Sequence, residues 1–199
     1  MAGRYLETYL TPSVTAAQAH YYGRAQSIPP QPERNPLTPE ETEFIAARDS
    51  FYLATVSETG WPYVQHRGGP PGFLRVVGPS QLAFADFKGN RQLLSTGNLG
   101  VNDRVALFLM DYPRRERLKI LGHARITDAR EQPELIATLA APEARGLVER
   151  VFWIDVISFD WNCSQHITPR YTAEQVETVV APLQQRIAEL EAQLAAGRF

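Results

Sequence analysis

The sequence has a single cysteine, Cys163, and no long run of apolar residues. One cysteine cannot form an intramolecular disulfide, so we expect a reducing compartment, the cytoplasm. No segment approaches the roughly 20 apolar residues of a membrane span. Residues 1–23 mix apolar with polar side chains, unlike the apolar region of a signal peptide. The formal net charge of −2 predicts no general attraction to nucleic acid or to an anionic membrane.

The chain is long enough for one domain with a substantial core. It has 199 residues, of which 44% are hydrophobic and 21% charged, an ordinary globular composition. Residues 1–36 are expected to form an irregular N-terminal arm, because several prolines lie in the second half of this segment. Residues 37–161 are expected to form the main domain, and residues 162–199 a C-terminal segment ending in a helix.

The main domain is expected to be mainly β, in the α+β class. Thr38-Pro39-Glu40-Glu41 is typical of a helix start, because Thr38 can cap, proline suits the first turn and Glu41 completes a capping box. After residue 50, short alternating apolar segments are separated by turn residues, which predicts six or seven strands joined mainly by hairpins. Hairpins imply antiparallel pairing, and such a sheet tends to close into a barrel with short flanking helices.

The C-terminal tail carries a heptad pattern of apolar residues at alternating steps of four and three. Pro182 interrupts the front of this stripe. A lone helix with such a stripe needs a partner surface. The two interpretations are packing on the protein's own barrel and contact with a second subunit. The stripe consists of Val176, Val180, Leu183, Ile187, Leu190 and Leu194.

The stretch FADFKGNRQLLSTGNL, residues 84–99, predicts an anion cradle. It passes from a strand into a small basic loop and then into a predicted short helix. Free backbone N–H groups at a helix start attract anions. Gly89 would allow close approach, Asn90 can cap and Arg91 offers a two-pronged guanidinium. A solvated polar turn is the alternative interpretation of the same residues.

The surrounding sequence resembles a known family. ETGWPYVQHRG, then FLRVVGPSQLAFADFKGNRQLLSTGNL, then RVALFLMDYPRRERLKILGHARI resembles the pyridoxamine 5'-phosphate oxidase-like flavoproteins over about residues 38–161. The resemblance implies a split β-barrel and a homodimer that binds FMN at the subunit interface. It also implies an FMN-dependent oxidoreductase acting on an unidentified small molecule, with no catalytic residue assigned.

The resemblance also implies the cofactor-binding residues. Asn90, Arg91 and Gln92 match the family's phosphate grip, with Lys88 just before it. Two further groups are implied to border the flavin ring. These are Ala85 and Asp86 on one strand end, and Gln65, His66 and Arg67 on another strand.

Two departures from the family separate this chain from the oxidase itself. Gln65 stands where the oxidase has an arginine, and the segment GGPPG replaces a lysine of the oxidase. Both differences disfavour pyridoxamine phosphate as substrate. The closing segment FDWNCSQHITPRYT also differs. We expect this segment to reach across the dimer, with Trp161, Asn162 and Gln165 near the flavin of the other subunit. A capped strand end is the alternative interpretation.

Other chemistries have less support in the sequence. Cys163 and His166 form C-x-x-H, but no second pair stands at zinc-ligand spacing, so no metal is expected. Two rival functions stay open: a flavin-binding or stress-related protein without turnover, and a reductase that uses a deazaflavin on the same fold.

Overall fold

The computed structural model describes residues 3–161 and 165–197. The six helices are α1 (Gly3–Tyr9), α2 (Pro12–Tyr22), α3 (Pro39–Ala46), α4 (Leu94–Leu99), α5 (Pro133–Leu139) and α6 (Ala173–Ala195). The seven strands are β1 (Ser50–Val56), β2 (Pro62–Gly68), β3 (Arg75–Gly78), β4 (Gln81–Phe87), β5 (Arg104–Asp111), β6 (Glu116–Asp128) and β7 (Val148–Trp161). Within the described residues, none of the helices combines the length and apolarity needed to cross a membrane.

All seven strands belong to one antiparallel sheet, which confirms the mainly β, α+β prediction. The strand order is β2-β1-β5-β6-β7-β4-β3. Strands β2 and β3 are the two edges, so the sheet is not closed by backbone hydrogen bonds among the described residues. Side chains nevertheless join its two halves. The rings of Phe51 on β1 and Phe84 on β4 lie 5.3 Å apart, and Arg67 on β2 forms an ion pair with Asp86 on β4.

The curved sheet encloses one large apolar core. Phe84 stacks on Phe152 of β7 with ring centroids 4.8 Å apart, and both are buried. A smaller cluster on the other face of β4 and β7 packs under α5. Gly122 lies where the pairing of β6 with β7 shifts register, and a Cβ there would stand 2.6 Å from the carbonyl oxygen of Asp155. This close strand approach therefore requires glycine.

Helix α3 begins as the sequence predicted, and its capping residue ties it to the end of β7. Glu41 accepts from the backbone N–H of Thr38 at 2.9 Å, completing the capping box. The same carboxylate accepts from Nε1 of Trp161 at 2.6 Å, and the indole packs edge-on against Phe44. Burial raises the pKa of Glu41, but the hydrogen bonds from Thr38 and Trp161 outweigh it and hold the pKa below its ordinary value.

Replacing Trp161 by Phe is expected to lower the free energy of unfolding at pH 7 by about 1–3 kcal/mol, because a buried carboxylate loses a donor. A carboxyl whose folded pKa is depressed stabilises the fold above its unfolded pKa, and this stabilisation disappears as the pH falls through the folded value. The deficit of the variant should therefore shrink on acidification. Urea unfolding of both proteins at pH 7 and below pH 4 measures it. The exposed Trp61, changed to Phe, is the control and should show no deficit.

The N-terminal region differs from the sequence prediction. Residues 3–22 form α1 and α2, whereas the sequence predicted an irregular arm over residues 1–36. Thr11 caps α2 by accepting from the N–H of Val14, Pro12 occupies its first turn, and Gly23 ends it at φ 69°. Neither helix has a buried residue, so no apolar periodicity marked them. Helix α1 contacts β7.

The chain divides into two compact units. The first comprises residues 3–111 and 116–161, and the second comprises residues 112–115 and 165–197. In the second unit, the guanidinium of Arg170 lies 4.9 Å from the ring centre of Tyr112. Thr172 and Gln175 form a capping box that starts α6, which runs through Pro182 without ending.

Candidate functional site

A polar cleft lies between β2, β4, β7 and the chain that leads into α4. It encloses about 190 Å³. Residues Tyr63, Gln65 and Arg67 line it from β2, because side chains of one strand alternate between faces and these three share the inward one. The remaining walls come from the end of β4, from residues 89–96 and from Arg150 of β7.

A buried carboxylate holds two arginines at the floor of this cleft. One oxygen of Asp86 accepts from Nη1 of Arg67 at 2.5 Å, and the other accepts from Nε of Arg150 at 2.9 Å. Asp86 and Arg150 are directly opposite each other in the pairing of β4 with β7. The side chain of Asp86 is only 8% exposed. Charge-assisted bonds in such a poorly solvated place fix the two guanidiniums in position.

Arg67 keeps unused hydrogen-bonding capacity despite this ion pair. Its guanidinium lies over the rings of Phe84 and Phe152, 5.6 and 5.1 Å from their centres. Its Nε is buried and has no hydrogen-bond partner in the part of the chain that the structure describes. An unpaired buried N–H is costly, so an anionic oxygen that reached it would gain more than an ordinary surface contact.

The basic loop forms the outer wall of the cleft, but not as a helix start. The predicted helix over RQLLSTGNL begins only at Leu94, and its first turn has no side-chain cap. Residues 90–92 instead form a local turn, in which Oδ1 of Asn90 accepts from the N–H of Gln92 at 3.1 Å. Arg91 and Leu93 both have positive φ, 62° and 53°. This asparagine-centred turn competes with helix and explains the later start.

Helix α4 is pinned to the neighbouring strands and so fixes the inner end of the loop. The buried Ser95 donates to Oε1 of Gln65 on β2 at 3.0 Å. Asn98 donates to Oγ1 of Thr55 on β1 at 2.9 Å. These side-chain bonds hold α4 against β1 and β2, and β2 forms one wall of the cleft.

The residues that line the cleft fit a phosphate group. They include three arginines and one aspartate, a formal charge of +2 in a chain whose overall charge is −2. The charged members are Arg67, Arg91, Arg150 and Asp86. The amide group of Asn90 and the hydroxyl group of Thr96 add further donors beside them. Guanidinium groups bind phosphate through paired N–H bonds, which makes this donor set suited to a phosphate ester.

The structure brings six of the predicted cofactor-binding residues together at the cleft. They are Gln65, Arg67, Asp86, Asn90, Arg91 and Gln92. Lys88 lies in a neighbouring open cleft that Arg91 and Arg150 also line. Two predicted residues point elsewhere. His66 lies on the outward face of β2 against Tyr52, and Ala85 is buried in the cluster under α5.

The predicted residues at the end of the main domain have varied positions. Trp161 is bound within its own chain to Glu41 and Phe44. Asn162 and Cys163 lie outside the described residues. Gln165 is exposed in the second unit. The expected contacts of this block with a second subunit stay a prediction.

Arg150 is the charged residue of the cleft that sequence reasoning missed. The sequence of residues 131–150 predicts a helix with a break at Pro142. In the structure α5 ends at Leu139, a 3₁₀ turn follows over Pro142–Leu147, and β7 begins at Val148. Arg150 reaches the cleft only because β7 pairs with β4, which lies 64 residues earlier. No local sequence signal reports that pairing. The uncharged lining residues Tyr63, Ser95 and Thr96 were also missed, although they lie within four residues of the predicted Gln65 and Gln92.

The side chains needed for metal binding do not cluster in the region that the structure describes. No group of three His, Cys, Asp or Glu residues is close enough there to hold an ion. His123 faces the exposed Asp103 at 2.9 Å, a surface pair.

Comparison with solved structures supports the fold. A candidate pyridoxamine 5'-phosphate oxidase from Lactobacillus delbrueckii matches with a TM-score of 0.50 and 22% identity, over 63% of this chain and 94% of its own. HupZ of Group A Streptococcus matches with a TM-score of 0.50 and 16% identity, over 68% and 99%. Identities this low establish the fold alone. Comparison with curated proteins gives no match.

Comparison with family models identifies the chain. The model described as pyridoxamine 5'-phosphate oxidase matches residues 37–154, more than half of the sequence. The matched region contains β1 to β6, the basic loop and the three arginines of the cleft. The chain therefore belongs to the pyridoxamine 5'-phosphate oxidase family, as a divergent member.

Proposed function

We propose that this protein binds FMN through its phosphate and is an FMN-dependent oxidoreductase acting on a small molecule. The observation that carries the proposal is the pair of arginines fixed by Asp86, with the Nε of Arg67 left unpaired. When bound, FMN supplies transfer of hydride or electrons at its ring. The chain's own residues hold and orient the cofactor: Arg67 and Arg150 from the cleft floor, and Arg91 from the loop.

A second copy of the chain completes the site in this proposal. Small-molecule pockets usually span about 300–1,000 Å³, and this cleft encloses about 190 Å³, which suits only part of a flavin. The outward face of the strands next to the cleft also presents large apolar side chains. Tyr52 on β1 is 40% exposed and Val64 on β2 is 60% exposed. A homodimer would cover them. Its mass in solution, by light scattering, should be twice 22.3 kDa.

The absorption spectrum of the purified protein tests the proposal. We expect flavin bands in the native protein and FMN in the supernatant after heat release. Arg91→Ala should retain less FMN, because the loop loses its charged donor, whereas Arg75→Ala on the exposed edge strand β3 should retain the wild-type amount. A colourless protein that takes up no added FMN would remove the flavin assignment.

Two alternatives on the same cleft remain testable. A flavin-binding protein without turnover would keep its FMN oxidised when NADH or NADPH is added without oxygen, whereas the proposed oxidoreductase should show bleaching of the flavin bands with one of them. A deazaflavin also carries a phosphate, which the same arginines would bind. Its distinct absorption and fluorescence would separate it from FMN in the heat-released supernatant.

The single cysteine supports a cytoplasmic location.

A further inference from the structure

Helix α6 carries an apolar stripe that has no cover. The helix has 23 residues, and none of them is buried. Five of the six stripe residues are between 43% and 59% exposed, namely Val176, Leu183, Ile187, Leu190 and Leu194. Polar and charged side chains occupy most of the remaining surface. A solvated helix with so regular an apolar stripe gains stability by packing that stripe against a partner.

The residue types along the stripe favour a two-stranded coiled coil. The alternating steps of four and three assign the stripe to heptad positions a and d. The a positions hold Val180, Ile187 and Leu194, and the d positions hold Val176, Leu183 and Leu190. β-Branched residues at a with leucine at d favour parallel dimers over higher oligomers. Pro182 falls at a c position, which faces away from the seam.

The charges beside the stripe favour the parallel orientation. In a parallel pair, a g residue faces the e residue five positions later on the other helix, which sets Arg186 opposite Glu191 on each side. In an antiparallel pair with the same six residues in the seam, Arg186 would face Arg186 and Glu177 would face Glu191. Like charges in contact are unfavourable, so the sequence discriminates against that orientation.

We propose that α6 pairs with α6 of a second copy of this chain, in register, as a parallel two-stranded coiled coil. At 1.5 Å per residue each helix is about 35 Å long, or about three heptads. A pair this short is weak alone, so attachment to a domain that also dimerises would strengthen it by raising the local concentration. The pairing itself requires no flavin.

Cysteine cross-linking in the full chain tests the pairing and its orientation. In a Cys163→Ser background, Val180→Cys should form a disulfide-linked dimer under mild oxidation. In a parallel pair, the residues at the same heptad a position of the two helices lie next to each other. Antiparallel pairing would set position 180 beside position 190, about 15 Å away along the axis. Ala181→Cys, one residue on at an outward position, is the matched control and should cross-link at least tenfold more slowly. Equal rates for the two cysteines would overturn the proposal.

Substitutions that place charges in the apolar a and d stripe provide a second test of the pairing. Leu183→Glu with Leu190→Glu, added to Val180→Cys, should abolish the cross-link. Gln185→Glu with Ala192→Glu adds the same charge on the opposite face and should leave the cross-link intact. A cross-link that survives the first pair of changes would also overturn the proposal. The mass of the seam-broken protein should remain that of the barrel dimer, and its FMN content should be unchanged, so failure of this pairing and failure of the proposed flavin site are distinguishable.

Discussion

Replacing Arg67 by Ala is expected to raise the dissociation constant for FMN roughly 10- to 100-fold. The change removes a charge-assisted donor to the phosphate, worth about 1.5–3 kcal/mol. It also removes the group whose buried Nε has no partner among the described residues. Arg67→Lys keeps the charge but loses the two-pronged geometry, so it should recover only part of the affinity. Quenching of flavin fluorescence on titration measures the dissociation constants of the wild type, Arg67→Ala and Arg67→Lys.

The matched control for Arg67 is another arginine that covers an aromatic ring. Arg125 on β6 lies 4.6 Å from the centre of the Trp153 ring, outside the cleft. Arg125→Ala therefore removes the same kind of side chain and a comparable ring contact, and it should leave the FMN affinity unchanged. If Arg125→Ala weakened FMN as much as Arg67→Ala, the effect would come from general loss of stability, which contradicts the assigned role of Arg67.

Replacing Asp86 by Ala is expected to lower the free energy of unfolding by about 3–5 kcal/mol, the range for breaking a buried ion pair by removing one partner. The side chains of Arg67 and Arg150 are only 16% and 19% exposed. Without the carboxylate, their two positive charges would face each other in a poorly solvated cleft. Urea unfolding of wild type and variant at neutral pH gives the difference.

Inorganic phosphate should partly rescue this variant. An anion bound between the two guanidiniums would replace the missing carboxylate, so added phosphate should raise the Tm of Asp86→Ala by more than it raises that of wild type. Asp103→Ala, which removes an exposed carboxylate paired with His123, is the control and should change stability by less than about 0.5 kcal/mol. An Asp86→Ala protein as stable as wild type would refute the described ion-pair geometry.

Much of the fold could be predicted because its signals are local. The start of α3 follows from Thr38, Pro39 and Glu41 within one turn, and the strands follow from short alternating apolar segments. Helix α2 has the same Thr-Pro start, at Thr11 and Pro12. It was missed because it buries nothing, so its capping signal had no apolar periodicity beside it.

The candidate site could be predicted only where it is contiguous in sequence. The loop around Arg91 and the strand residues Gln65 and Arg67 were identified by resemblance and line the cleft. The contact that organises the floor, Asp86 with Arg150, joins residues 64 apart across two strands. Such a contact depends on the order and register of the sheet, which neither charge nor periodicity reports. The left-handed backbone at Arg91 was equally invisible, since the asparagine-centred turn replaced a predicted helix turn.

The most direct test of the phosphate-binding cleft is a pair of titrations with FMN and with riboflavin, which has the same ring system but no phosphate. Loss of two charge-assisted bonds costs about 3 kcal/mol or more, so FMN should bind at least roughly 100-fold more tightly. Arg67→Ala should lower the ratio of the riboflavin dissociation constant to the FMN dissociation constant. Equal affinity of the wild-type protein for the two flavins would contradict the central claim that the arginines fixed by Asp86 form a phosphate site.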